Sequence, residues 1–337
     1  MKRKLAVLLA AGSVATGLVG CASGDSESGD ASSDGVVKVR MAIVDNENSN
    51  YYKGAQKIAE EVDAATDGKV KIDVFAGGSL GDERGTVEMA MNGDLEIAVA
   101  ANPVFTNWIP QMGILDQAFL WDTTDEAHAA VDGKLGELIG TELEAQGLHL
   151  LGFMESGFRN VFSKDPIDKM DDFSGVKIRT MQNQYHMAAF EAFGAMPTAM
   201  AAGEQFTALQ QGTIDAAENA TSNMLVNKFY EVITHHTETE HAFVYMLVVM
   251  SDKSWQQIPE DMRPAVVEAV KKGCDAQREY LEEANAAAVD ELKENGVEFH
   301  EIDRDGLKAA YEAVAESNDW SFDSKWQEAV DAVRSGS

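Results

Sequence analysis

Arg179 stands in the stretch FSGVKIRTMQN (Phe173–Asn183), where Val176, Ile178 and Thr180 alternate with Lys177, Arg179 and Met181. That period of two is the pattern of a strand with one apolar face. A guanidinium is planar, permanently charged and presents parallel donors matched to a carboxylate, so an arginine near a strand end has the chemistry to hold an organic anion. On the strand alone, Lys177 and Arg179 read more simply as a solvated outer face. A second cluster, HHTETEH (His235–His241), offers metal-ligand residue types. In an extended strand His235 and His241 would share a face, about 20 Å apart, with His236 pointing opposite. A strand metal site would need ligands from elsewhere, so no metal is expected. H-E-x-x-H and G-x-x-x-x-G-K are absent, and with them the simplest metalloprotease and nucleotide-binding readings.

Composition narrows the field further. The chain has 337 residues and a formal net charge of −30, which opposes binding to nucleic acid or to an anionic membrane surface. An anionic ligand would need a locally positive pocket. The N-terminus reads as a processing segment: MKRK is a positive start and LAVLLAAGSVATGLVG a short apolar run ending at Cys21. LVGC (Leu18–Cys21) looks like a bacterial lipobox, which makes residues 1–20 a lipoprotein signal and Cys21 the lipidated residue. ASGDSESGDASSDG has no aromatic or branched apolar residue, so residues 21–35 read as a flexible tether. Cys274, the other cysteine, falls in a helical stretch and has no disulfide partner.

The elements that must position Arg179 follow a βαβ plan. VVKVRMAIV, KVKIDVF and LEIAVA read as strands separated by helices, which implies a mostly parallel sheet with helices on both faces. A helix near Glu126–Gln146, the strand HLLGFM, a helix near Tyr185–Phe193, the short strand TIDAAEN and the helix NMLVNKFYEV repeat the plan in outline. AFVYMLVVM (Ala242–Met250) reads as a fully buried strand. The expected architecture is a two-lobed α/β fold like that of periplasmic binding proteins, with mixed or parallel sheets flanked by helices. Lobe I would start at residues 36–157, lobe II occupy 158–241, and 242–258 return to lobe I. A long helix over 259–295 would span both lobes, and a strand and helices over 296–337 would pack on them. Ligands of such sheets lie beyond the carboxyl ends of the strands, so the loops after Val44, Ala100, Met154, Thr180 and Asn219 are the places to look.

KIDVFAGGSLGDERG, GVKIRT, EQFTALQQGTIDAAENA and NKFYEV, in this order and spacing, resemble the extracytoplasmic solute-binding proteins of TRAP (tripartite ATP-independent periplasmic) transporters, from about Val36 to the late helices. The resemblance implies a receptor that captures a small organic acid and delivers it to a membrane permease for ion-gradient-driven uptake. It makes Arg179 the carboxylate anchor, Asn219 the amide beside it and Arg159, in ESGFRN, a second arginine near the ligand. Gln182 and His241 align with polar pocket positions, and Glu155 opens the segment that carries Arg159. Family members with sialic acid as ligand carry an acidic residue and then an arginine after the third strand. This chain has Ala101 and Val104 there, with Asn102 as a neutral hydrogen-bonding alternative, so the implied ligand is a C4-dicarboxylate or a sugar acid such as a uronate. D-A-A-E-N-A, in place of the family's D-G-x-E-N-P, puts the shape of the Asn219 turn in question. A monomer held by a lipid anchor outside the cytoplasm, with no cofactor and no catalytic residue, completes the expectation. A sensory receptor and a secreted lipoprotein enzyme are the alternatives from other classes.

Overall fold

The structure is a computed structural model that describes residues 35–318 and 320–336. Cys21, the signal segment and nearly all of the tether lie outside the described residues. The first half begins with β1 (Val37–Ala42), α1 (Asn50–Ala65), β2 (Val70–Phe75), α2 (Glu83–Asn92) and β3 (Ile97–Ala101). Ser49 and Asp82 cap the two helices by accepting backbone N–H bonds, and Gly93 ends α2 in the left-handed conformation. β1 pairs in parallel with both β2 and β3. Then come α3 (Asn102–Phe105), a 3₁₀ turn over Pro110–Asp116, α4 (Thr124–Asp132) and α5 (Lys134–Ala145). The helical stretch expected near Glu126–Gln146 is made of these last two helices, which meet at Gly133.

The second half holds β5 (Lys177–Thr180), α6 (Gln184–Ala192), β6 (Met196–Ala199), α7 (Gln205–Gln211), β7 (Ala216–Asn219) and α8 (Thr221–Val226). β5 pairs in parallel with β6 and β7. Lys228, at φ 55, stops α8 short of the Phe229–Glu231 turn.

Two strands unite the halves. β4 (Leu148–Ser163) and β8 (His235–Ser251) run antiparallel through the middle of one nine-stranded mixed sheet, ordered β2-β1-β3-β8-β4-β7-β5-β6, with β9 (Glu298–Glu301) beside β8. HLLGFM does not end in a loop after Met154. The strand continues through ESGFRN, and it bends at bulges beside Gly157, whose φ of +72 a side chain would strain. AFVYMLVVM likewise extends back to His235, with Glu240 at φ 41 breaking its alternation.

Each half buries apolar residues on both faces of the sheet. Leu95, Leu135, Ile139 and Trp326 pack on one face of the first half, and Tyr51, Ile58, Val62 and Val270 on the other. Phe173, Phe190 and Leu307 form one cluster of the second half, and Phe162, Leu209, Ala288 and Leu292 the other. α10 (Arg263–Glu294), 32 residues long, joins the halves through Val266, Val270 and Cys274 at one end and Ala288 and Leu292 at the other. It starts later than Pro259; Pro264 sits in its first turn, where no amide donor is needed. A Cβ at Gly273 would lie 2.7 Å from the Ile58 backbone nitrogen, so glycine is what lets α10 close on α1. After β9, α11 (Arg304–Ser317) packs on α6 and α12 (Ser324–Arg334) on α4 and α5; a short α9 (Asp252–Trp255) follows β8. No helix among the described residues is long and apolar enough to cross a membrane.

Candidate functional site

Arg179 is not a solvated-face residue. Only 3% of it is exposed. It lines a small cavity of about 40 Å³ between the halves, with Arg159, Asn219, Tyr51, Asp45 and Glu83 among the other walls. β5 places Arg179 one residue before its carboxyl end, β4 carries Arg159 across from the first half, and β7 ends at Asn219.

Glu218, which sequence reasoning passed over, organises the arginines. Its fully buried carboxylate receives Arg159 Nε, accepts from Arg179 Nη1 at 3.3 Å and lies 3.6 Å from His241 Nε2. Burial pushes this carboxyl up, but Arg159, His241 and Arg179 together hold it well below the usual carboxylate range. Burial draws the Arg179 guanidinium down to about 10, against the pull of Glu218, so it stays charged at neutral pH. Two guanidinium charges against one carboxylate leave this end of the cavity positive.

The two arginines are not equivalent. A guanidinium has five N–H donors. Arg159 spends four, on Glu218 Oε2, Glu218 O, Asn219 Oδ1 and Ser156 Oγ. Arg179 spends two, on Met200 O and Glu218, and keeps three. Asn219 uses its Oδ1 to accept from Arg159, Asn223 and the Ala220 amide, leaving its Nδ2 hydrogens unused. Ala220 thus manages without the family's proline, because the Asn219 side chain itself closes the turn.

The remaining walls are acceptors. Asn223 Oδ1 and Gln205 Oε1 are buried with no hydrogen-bond partner. Asp45, at the carboxyl end of β1, and Glu83, at the start of α2, add carboxylates. One Glu83 oxygen accepts from Ala101 N at 3.1 Å. Burial and neighbouring Glu83 push the Asp45 carboxyl up to about 7, and burial raises Glu83 as well. An acid whose pKa is raised on folding destabilises the fold from its unfolded pKa, about 3.9, upward. Asp45→Asn should therefore gain stability over the wild type as pH rises from about 4 to 7, and hold that gain above. Urea melts across that range check this; a difference that shrinks with rising pH would refute it.

Other expected site residues lie elsewhere. Gln182 is exposed and borders an adjoining cleft with Arg179, Arg84 and Met200. His241 is 1% exposed and stands behind Glu218, with Nδ1 on Thr239 Oγ1, so it supports the cavity without lining it. Burial lowers its pKa, opposed by Glu218. Asn102 is fully buried between Asp116 and the Tyr245 amide; it fastens α3 to β8 and does not reach the cavity. Glu155 points to the opposite side of β4, where it bonds His128 at 2.5 Å and lines a larger cavity of about 610 Å³. The bulge at Gly157 and the alternation of the strand divide these residues: Ser156 and Arg159 face the small cavity, Glu155 and Phe158 the larger one. Asp45 and Glu83 had a sequence signal, since both follow strands whose carboxyl ends face the cleft. Glu218 sat in the AAEN motif itself, next to the residue chosen.

This fold, two α/β halves joined by crossing strands with an arginine-bearing cavity between them, is that of a two-lobed solute-binding protein. The chain belongs to the bacterial extracellular solute-binding protein family 7, whose pattern matches residues 41–325. It is 30% identical to the 2,3-diketo-L-gulonate-binding periplasmic protein of Escherichia coli, over 81% of this chain and 84% of that one. It is 29% identical to the C4-dicarboxylate-binding periplasmic protein of Rhodobacter capsulatus, over 78% and 79%. Among solved structures, the sugar acid binding protein of Advenella mimigardefordensis in complex with galactonate superposes with a TM-score of 0.86 at 29% identity, covering 90% of this chain and 99% of that one. A TRAP periplasmic solute binding protein of Citrobacter koseri with bound D-glucuronate gives 0.82 at 28%, covering 88% and 98%.

Proposed function

We propose that the protein is the receptor of a TRAP transporter for a monocarboxylic sugar acid, an aldonate or uronate, and is not an enzyme. The observation that carries the choice of ligand is the polarity of the cavity. Arg179 and Asn219 offer unused donors, which suits a carboxylate. Asp45, Glu83, Gln205 and Asn223 add acceptors to the same walls, which suits hydroxyl groups. A C4-dicarboxylate would bring its second carboxylate against Asp45 and Glu83, where burial already raises the carboxyl pKa values and a further negative charge is disfavoured. Relatives that bind galactonate and D-glucuronate support the same reading. Arg159 serves as the positioning residue that holds Glu218 and Asn219. The lobes would close by bending where β4 and β8 cross, at Gly157 and Glu240, with α10 flexing alongside; closure presents a new surface to the permease. Lipidation at Cys21, from the LVGC motif, would keep the monomeric receptor at the membrane.

A thermal-shift screen tests the ligand class. Glucuronate, galacturonate and galactonate at a hundredfold excess over Kd should stabilise the protein by about 2.7 kcal/mol, with succinate, malate and neutral sugars giving little. Stabilisation by dicarboxylates equal to or above that by sugar acids would overturn the assignment.

A further inference from the structure

The sequence leaves HHTETEH without a role, because a lone strand cannot close a metal site. Folding brings the missing groups. β9 runs parallel to the start of β8, with His235 opposite Glu298 and Thr237 opposite His300. His235 Nδ1 and His300 Nε2 face each other at 3.0 Å. Glu298 Oε2 is 3.8 Å from His235 Nδ1, and the three residues' donor atoms all lie within 4.8 Å of one another. His300 Nδ1 lies 2.7 Å from Asp168 Oδ1, supplied by the segment after β4.

We propose that His235, Glu298 and His300 form a binding site for one divalent transition-metal ion of the zinc class, with Asp168 holding His300 in the ligating tautomer. Two nitrogens on a tetrahedral zinc at about 2.05 Å stand about 3.3 Å apart, so the 3.0 Å between the two histidine nitrogens needs only a small opening, and the Glu298 carboxylate moves in to complete the set. Asp168 accepts the Nδ1 proton of His300, which leaves the Nε2 lone pair aimed at His235. A carboxylate behind a ligating imidazole is the usual support of such a site. Metal binding requires His235 to take the tautomer with its proton on Nε2 and both rings to turn so that His235 Nδ1 and His300 Nε2 face a shared ion.

Imidazole donors select zinc and its transition-metal neighbours over magnesium and calcium, which take oxygen ligands. Both rings are mostly buried, with side chains 14% and 12% exposed, while Glu298, at 72%, is free to swing onto an ion arriving from solvent. Three protein ligands leave a fourth position for water or a partner's side chain. The other metal-competent group, His186, Glu218 and His241, is a poor rival because two arginines hold its carboxylate. A bound ion would pin β9 and the exit of α10 to β8 and to the chain after β4, stabilising the second half by mass action.

Cobalt(II), a spectroscopic stand-in for zinc, tests the site in the tag-free full-length protein. Titration should give visible d–d bands that saturate at a single equivalent and vanish on adding zinc but not magnesium. His235→Ala and His300→Ala should each abolish the bands, and Asp168→Asn should weaken cobalt binding by about ten- to a hundredfold. His149→Ala, which breaks a separate pair with Asp252, should leave them unchanged. Absence of bands in the wild type, or their survival in both alanine variants, overturns the site. Should either alanine variant fold poorly, Glu298→Gln and Asp168→Asn, both at exposed positions, decide the matter. Unchanged cobalt affinity in both refutes the proposal, and weakened affinity in both upholds it.

Discussion

Arg179→Ala is expected to bind the sugar acid roughly thirty- to several-thousand-fold more weakly than the wild type. Removing one partner of a buried, hydrogen-bonded charge pair costs about 2–5 kcal/mol, at ~1.4 kcal/mol per tenfold in Kd. Much of that is the carboxylate left desolvated and unpaired. Arg179 keeps three N–H donors beyond those taken by Met200 O and Glu218, so it has capacity for a bidentate contact that Arg159 lacks. Arg179→Lys should also bind worse, because a point ammonium cannot supply two parallel donors. Calorimetric titration of a ligand from the screen into both variants, with folding confirmed by circular dichroism, makes the measurement. A folded Arg179→Ala protein within about threefold of wild-type affinity, less than ~1 kcal/mol, would remove Arg179 from the binding role.

Glu218→Gln is expected to lose about 3–5 kcal/mol of stability, because an isosteric amide keeps the shape but leaves two buried guanidinium groups without their counter-charge. Arg159 and Arg179 each have only 3% of their surface exposed, so water cannot substitute. The sign with pH is fixed by the lowered pKa of Glu218. The stabilisation it brings is complete above the unfolded carboxylate pKa, about 4.3, and is lost as pH falls through the lower folded value. Denaturant titrations at neutral pH, repeated toward pH 3, should therefore find the variant's deficit large at neutrality and shrinking on acidification. A deficit below about 1 kcal/mol at neutral pH would mean that the guanidinium pair is compensated elsewhere.

The α/β plan, the long late helix and the strand that holds Arg179 were legible in the sequence, and motifs shared with the family pointed to Arg159 and Asn219. These are carried by local signals: period-two and helical spacings, caps and stops, and motifs whose residues lie close together in the chain. Where the strands bend and which residues meet depended on pairing between distant segments. β4 and β8 read as short strands because bulges at Gly157 and Glu240 interrupt their alternation, and only pairing through the sheet shows each to be continuous. Those bulges send Glu155 away from the arginines, although it is four residues from Arg159. Asn102, at the end of β3, is drawn into the Asp116 network by the packing of α3 on β8. Glu218 gained its role because β4 and β5 both flank β7 and bring Arg159 and Arg179 to it from opposite sides. The histidines of β8 found ligand partners only when β9 paired beside them, some sixty residues later in the chain. Contacts of that separation depend on strand order and register, and no periodicity within a segment encodes which other segment will lie next to it.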